Sequence, residues 1–355
     1  MTDIAKRFAN NPIISPNDIN PSIDGFDVIG VLNPGAFRFN NQIGLLIRVA
    51  EAPPVLDGFV QAPVIDRDNT VKTLKFPDDP QFLTLKESRL FSYNGKTYLT
   101  SISHLRLAWS EDEIHFKVEK EPLLMGNGQY ESFGIEDCRV INIDDIFYLT
   151  YTAVSEKGFC VGLISTKDWY NFERWGIIFP PPNKNTAIFP CKIDDYYYAL
   201  HRPSGVVIGG NYIWIAKSID LKHWGNYECI AVTRPGKWDS CGIGPGAPPI
   251  KTEYGWLEIY HGTDKNNRYC LGALLLDLKN PFKVVARSEE PIMEPTMSYE
   301  TEGFFGNVVF TNGCVYDGDI LTVYYGASDE YICGAKFSIK EILTESLKVP
   351  TTNHR

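Results

Sequence analysis

The stretch CRVINIDDIFYLTYTAVSEKGFCVGLISTKDWYNF, residues 138–172, decides the fold. It opens on a short apolar strand, turns at Asp144-Asp145, runs through a Tyr-rich strand and ends a third strand near Asp168 and Trp169. The same module is legible in RLFSYNGKTYLTSISHLRLAWSEDEIHF (89–116), in CKIDDYYYALHRP with YIWIAKSIDLKHW (191–224), in PPIKTEYGWLEIYHG with YCLGALLLDLKNPF (248–282) and in VVFTNGCVYDGDILTVYYGASDEYICGAKFSI (308–339). The period is about 50 residues, in the range of radial repeats. Asn94-Gly95, the Asp pairs at 144–145 and 194–195, and Asp317-Gly318 are hairpin signals between alternating strands. Each unit therefore reads as an antiparallel meander with two faces to bury. Stacking such units in a ring buries both faces and leaves only short edges, which predicts an all-β protein built as a β-propeller. GAFRFNNQIGLLIRVAE (35–51) resembles the start of a further unit, so repeat counting leaves five and six blades both open.

Working outward, the 355 residues allow one large domain or two ordinary ones. No Gly, Ser or Pro linker divides them, which predicts a single catalytic domain over 1–355 with a short N-terminal extension. The helical stretch SIKEILTES (338–346) is expected to seal the sheet assembly. With 44 acidic against 34 basic residues the net charge is −10, which argues against diffuse attraction to nucleic acid or an anionic membrane, so any bound anion needs a local cationic cluster. No apolar run reaches the ~20 residues of a bilayer span, and MTDIAKRFANNPIISP has no signal-type apolar block, so the expectation is a soluble, cytoplasmic protein. The eight cysteines show no C-x-x-C spacing and are expected to be mostly buried free thiols. GIGPG (242–246) is not a dinucleotide loop, because APPI follows it where a helix would be needed.

In a ring of sheets, the innermost strands bring residues distant in sequence around one axis, so the unit starts are where chemistry belongs. They carry Asn33-Pro34-Gly35 with Arg48, Glu136-Asp137-Cys138-Arg139, Asn183-Lys184-Asn185 with His201-Arg202, Tyr260-His261-Gly262, and Tyr324 through Asp329. Each also has a bland reading. Asp137 can be a turn residue paired with Arg139, Arg202 can cap a strand edge, and His261 can be a core histidine. Lys184 and Arg202 can pair with Asp194 or Asp195. Recurrence at equivalent positions of successive units is what favours a site.

At these residues the chain resembles glycoside hydrolase family 130, the β-mannoside phosphorylases and related β-mannosidases. GIEDCR (134–139) resembles the signature G-x-E-D-P-R, and NKNTAIFPCKI with LHRP (183–203) resembles N-x-x-x-x-L-F-P-x-K-I…H-R-P. WDSCGIGPGAPPI, GWLEIYHG and YETEGFFGNVVF follow in family order. The resemblance implies a five-bladed propeller with the active site at its central axis. Two positions depart from the pattern: Cys138 stands where proline is usual and Cys191 where glutamate is common. Losing the proline restores a backbone N–H and frees φ, so Asp137 is expected to be held less rigidly.

Inverting cleavage needs an acid for the leaving oxygen and a nucleophile on the opposite face of the sugar. Water as nucleophile needs a second carboxylate, whereas phosphate arrives anionic and needs cations to hold it. The resemblance implies that Asp137 is the proton donor, acting through a hydroxyl of the bound mannosyl unit. It places Asn33, Arg48 and Asp329 on the mannosyl hydroxyls, with Glu136 either there or supporting the loop. Lys184, Asn185, Arg202, His261 and Tyr269 are implied to form the phosphate site. The expected reaction is phosphorolysis of a β-mannoside to α-mannose 1-phosphate; the chain is most similar to members acting on β-1,2-mannobiose or short β-1,2-mannooligosaccharides, with β-1,4-mannosyl-glucose and β-1,4-mannooligosaccharides as the other substrates the family offers. No metal or organic cofactor is expected beyond inorganic phosphate as co-substrate, and a homo-oligomer remains open. An inverting β-mannosidase and a non-catalytic sugar-binding propeller are the alternatives.

Overall fold

The hairpin turns read from sequence organise the sheets. In the computed structural model, which describes residues 3–205 and 208–349, Asn94-Gly95, Asp144-Asp145 and Asp194-Asp195 each join paired residues with both turn residues at positive φ (50° and 74°, 51° and 60°, 47° and 68°). This conformation matches the twist of the flanking strands, and Asn, Asp and Gly tolerate it best. Asn40-Asn41 forms a further such turn, with φ of 48° and 62°, between Phe39 and Gln42.

Among the described residues five antiparallel sheets each run four strands in series. Sheet I contains Asp27–Phe39, Gln42–Ala52, Ile102–Ser110 and Lys117–Val118; sheet II contains Ile135–Ile143, Ile146–Ser155, Gly158–Thr166 and Phe172–Phe179. Sheet III contains Asn183–Ile188, Tyr197–Pro203, Ile213–Ser218 and Trp224–Ala231. Sheet IV contains Gly242–Gly244, Trp256–Thr263, Tyr269–Leu276 and Val284–Arg287, with the short strand Ile250–Lys251 also paired to Trp256–Thr263. Sheet V takes Val309–Asp317, Ile320–Ala327 and Tyr331–Ser338 from the C-terminal part and its outer strand, Lys6–Arg7, from the N-terminal part.

Packing explains why the central strands read as nearly continuous apolar runs. Ile146–Ser155 is buried along most of its length, because each sheet is covered on both faces. Five apolar clusters lie between successive sheets: Leu46 and Leu105 meet Ile135 and Leu149 between I and II, and Phe179 meets Ala199 between II and III. Leu200 meets Trp256 between III and IV, Leu271 meets Val323 between IV and V, and Tyr324 meets Ile47 between V and I. The order is cyclic, and the N-terminal strand ties the two ends of the chain into sheet V.

Residues 35–51, which resemble the start of a unit, and the last strand of the unit read at 89–116, Ile102–Ser110, belong to the same sheet I. Gln42–Ala52 pairs with Ile102–Ser110. Between them the chain leaves the sheet to form a hairpin, Phe59–Ile65 with Val71–Pro77, and a three-stranded sheet, Leu83–Lys86, Leu90–Tyr93 and Lys96–Leu99. The hairpin at Asn94-Gly95 has the local chemistry of a unit start but lies on this excursion.

The expected C-terminal helical segment is present. Ser338 caps Ile339–Glu341 by accepting from the Glu341 N–H at 3.0 Å, and the wider turn Ile342–Ser346 follows. Ile342 and Leu343 bury between sheets IV and V. All eight cysteines are free thiols; Cys138, Cys160, Cys270 and Cys333 are buried as expected, while Cys241 is exposed. Among the described residues no helix is long and apolar enough to cross a membrane. Residues 1–2 and 350–355, the ends of the predicted domain span, lie outside the described residues.

Candidate active site

A repeated break in strand register builds the site. The first strands of sheets I, II, III and V shift register between Leu32 and Gly35, Glu136 and Arg139, Lys184 and Ala187, and Thr311 and Gly313. Asn33, Asp137 and Asn185 stand in these breaks with φ of 41°, 51° and 56°. A bulge re-aims a side chain, and Asn and Asp are the non-glycine residues most tolerant of left-handed backbone. One local device, repeated, therefore brings three polar side chains from three sheets to one cavity.

That cavity, of about 300 Å³, is lined by nine of the ten residues expected from sequence: Asn33, Arg48, Glu136, Asp137, Lys184, Asn185, Arg202, Tyr269 and Asp329. His261 is the exception. Its ring is buried behind the wall, with Nε2 3.5 Å from Asn185 Nδ2 and a ring-centroid distance of 4.4 Å to Phe310, which does line the cavity. Burial, reinforced by the charges of Arg202, Arg139 and Lys184, holds its pKa well below the ordinary value, so the imidazole is neutral.

Asp137 is held from several directions. Its Oδ1 accepts from Asn33 Nδ2 at 3.0 Å and Arg48 Nη1 at 3.2 Å. Arg48 also donates to Glu136 Oε1 at 2.9 Å and Ser103 Oγ at 2.9 Å. Gly326 lets Asn33 approach: a Cβ there would lie 2.2 Å from Asn33 Oδ1. Cys138 occupies, in the bulge of sheet II, the place that Pro34 occupies in sheet I, and packs in the core between these sheets. These side-chain bonds restrain the carboxylate where the usual proline is missing.

Arg139 does not pair with the Asp137 carboxylate. It donates to the Asp137 backbone oxygen at 3.0 Å and to the Gly246 and Pro245 oxygens at 2.9 and 3.1 Å. Burial pushes the Asp137 carboxyl up, but Arg48, Arg139 and the Asn33 hydrogen bond outweigh it and leave the pKa below the ordinary value.

Lys184 and Arg202 are the cations without partners. Among the described residues neither forms an ion pair, and the carboxylates that act on Lys184 are Glu136 and Asp137 rather than Asp194 or Asp195. Burial, with Arg202 nearby, lowers Lys184 to about 8, and burial also lowers Arg202. Cations drawn out of water without an ion-pair partner are unfavourable by themselves, which marks this wall as suited to an anion. Tyr269, whose pKa burial raises, keeps its phenol proton beside them.

Sequence reasoning missed several members. Ser103 orients Arg48. Arg89, from the excursion in sheet I, reaches the cavity, pairs with Asp329 and lies 5.3 and 5.0 Å from the ring centres of Phe304 and Phe305. No local signal marks Arg89, because only tertiary folding returns the excursion to the pocket. Asn312, which donates to the Asn33 backbone oxygen at 3.0 Å, was findable as a further Asn at a unit start. Among the described residues no group of three or more His, Cys, Asp or Glu side chains is arranged to hold a metal ion.

A family profile described as beta-1,4-mannooligosaccharide phosphorylase, glycoside hydrolase family 130, matches residues 85–346. A beta-1,2-mannobiose phosphorylase of Listeria innocua is 44% identical over 343 residues, covering 95% of this chain and 97% of that protein. A 1,2-beta-oligomannan phosphorylase of a Thermoanaerobacter species is 41% identical over 246 residues, 68% of this chain and 80% of that protein. The solved structure of the Listeria beta-1,2-mannobiose phosphorylase with beta-1,2-mannobiose superimposes with a TM-score of 0.94 at 43% identity, covering 98% of this chain and 99% of that one.

Proposed function

Because this chain belongs to glycoside hydrolase family 130, we propose that it cleaves β-1,2-mannobiose or short β-1,2-mannooligosaccharides with inorganic phosphate, giving α-mannose 1-phosphate and a shortened acceptor. The observation that carries this reading is the pair Lys184, half-buried, and Arg202, buried, neither with an ion-pair partner among the described residues, in the same cavity as Asp137. Arginine offers a planar fork to two phosphate oxygens and lysine a compact charge. Asn185 and Tyr269 add hydrogen-bonding groups to the same wall, with His261 fixing Asn185 from behind. Asn33, Arg48, Glu136 and Asp329 are assigned to the mannosyl unit.

In the reaction the C1–O bond to the acceptor breaks as a phosphate oxygen forms its bond to C1 from the opposite face. The departing oxygen takes a proton supplied by Asp137 through a mannosyl hydroxyl. The pull of Arg48 and Arg139 keeps Asp137 ionised in the free site, so the proton must arrive with the substrates. A phosphate anion seated on Lys184 and Arg202 adds negative charge beside Asp137 and raises its affinity for a proton. The nucleophile thereby prepares its own acid.

We also infer that the five sheets are blades of a five-bladed propeller in a single domain, with the cavity on its axis. The cyclic order of the five apolar clusters and the shared sheet V support this. A cytoplasmic setting is supported by the eight free thiols, which fit a reducing compartment.

The test is product analysis. β-1,2-Mannobiose incubated with phosphate should yield α-mannose 1-phosphate as the first product seen by proton NMR, with little turnover when phosphate is omitted. β-Mannose 1-phosphate would overturn the single displacement, and free mannose alone would make the protein a hydrolase.

A pH prediction follows from Lys184. Burial destabilises its ammonium form, so in the free enzyme the proton is lost near pH 8 rather than at the ordinary lysine value. Phosphate binds the charged form, and its KM should therefore rise as pH increases through about 8. Lys184→Met should raise that KM at all pH values and flatten its dependence above neutrality.

A further inference from the structure

One buried carboxyl group near Arg139 is not used by the reaction. Glu258, in the second strand of sheet IV, is fully buried and does not line the cavity. Its Oε1 accepts from the Gly246 N–H at 2.7 Å, and its Oε2 has no hydrogen-bond partner among the described residues. Gly246 and Pro245 in turn present their carbonyl oxygens to Arg139 Nε and Nη2, while its Nη1 holds the Asp137 backbone oxygen. The loop packs closely on sheet IV, where a Cβ on Gly246 would lie 2.1 Å from the Ile259 oxygen. A continuous hydrogen-bonded path therefore runs from sheet IV to the strained backbone of the acid in sheet II.

We propose that Glu258 is a positioning residue for Asp137, its carboxyl accepting from the Gly246 N–H and so fixing the loop whose carbonyl oxygens hold the Arg139 guanidinium. Burial holds its carboxyl well above the ordinary range, outweighing the Gly246 hydrogen bond and the charge of Arg139. The role matters because Asp137 sits at φ 51° in a bulge, where the backbone by itself does not prefer to stay. A displacement of about 1 Å in a reacting group costs on the order of 10²-fold in rate.

The inference rests on Asp137 being the acid of the proposed reaction, and full-length variants separate the two claims. Glu258→Leu removes the acceptor, and kcat should fall about 10–100-fold while KM for mannoside and for phosphate stays within about threefold. Glu258→Gln keeps an uncharged acceptor and should restore kcat to within about threefold of wild type. Arg139→Lys breaks the same path further along. Combined with Glu258→Leu it should be no worse than the more impaired single variant, because both act through one path.

A folded Glu258→Leu enzyme with wild-type kcat would overturn the proposal, as would a Glu258→Gln variant as impaired as the leucine variant. Should the leucine variant not fold, Arg139→Lys with Glu258→Gln carries the test: a kcat loss in the first with near-normal turnover in the second supports it, and any other pattern overturns it. All ratios are read on whichever mannoside cleavage the wild-type enzyme performs. Failure of phosphorolysis itself is then seen in the wild type and not mistaken for failure at Glu258.

Discussion

Replacing Asp137 with Asn should lower kcat by about 10²–10⁴-fold while the protein remains folded, the range expected when a general acid is lost. Asn keeps the shape and one acceptor oxygen, so the hydrogen bonds from Asn33 and Arg48 have a partner in the variant. Arg48 also retains its ion pair with Glu136 at 2.9 Å, so removing one negative charge does not strand it. Arg139 binds backbone oxygens that the substitution leaves in place. What disappears is the proton the leaving oxygen needs. Steady-state kinetics beside a thermal melt would check this, and near-normal turnover in a folded variant would remove Asp137 from the mechanism.

Arg202→Ala should act on phosphate rather than on the sugar. Truncating a buried charge that holds an oppositely charged partner costs about 2–5 kcal/mol, so KM for phosphate should rise on the order of 10²-fold or more. Mannoside affinity measured without phosphate should change far less. Lys184 remains as a second cation, which is why some phosphorolysis should survive. His261→Ala should give a smaller rise in the same constant, because its neutral ring reaches the anion wall through Asn185. Titrating phosphate at saturating mannoside in both variants tests the assignment, and unchanged phosphate dependence in Arg202→Ala would refute it.

Much of the architecture was legible because it is locally encoded. Asp144-Asp145 and Asp194-Asp195 specify their turns by backbone tolerance alone, and the strands on either side follow from their apolar runs. The site was partly legible for the same reason. Asn33, Asp137 and Asn185 recur at unit starts because a left-handed bulge residue is needed there three times over.

The blade-start appearance of residues 89–99 misled because Asn94-Gly95 makes the same hairpin wherever it stands. Only the pairing of Ile102–Ser110 with Gln42–Ala52, across some fifty intervening residues, assigns the following strand to sheet I. Arg89 enters the pocket by that detour, so nothing in its neighbours announces it.

Residue type and spacing along the chain already encode the antiparallel meanders, the hairpin turns and eight of the cavity residues at the unit starts, while Tyr269 was implied only by the family resemblance. Tertiary structure decided how many sheets there are, that His261 stands behind the wall, that Lys184 and Arg202 have no carboxylate partner among the described residues, and that Glu258 connects to Asp137 through Arg139. Those features depend on burial and on distances between residues up to hundreds of positions apart. Such relations arise only when the sheets pack together, and they set which groups carry charge and which groups meet.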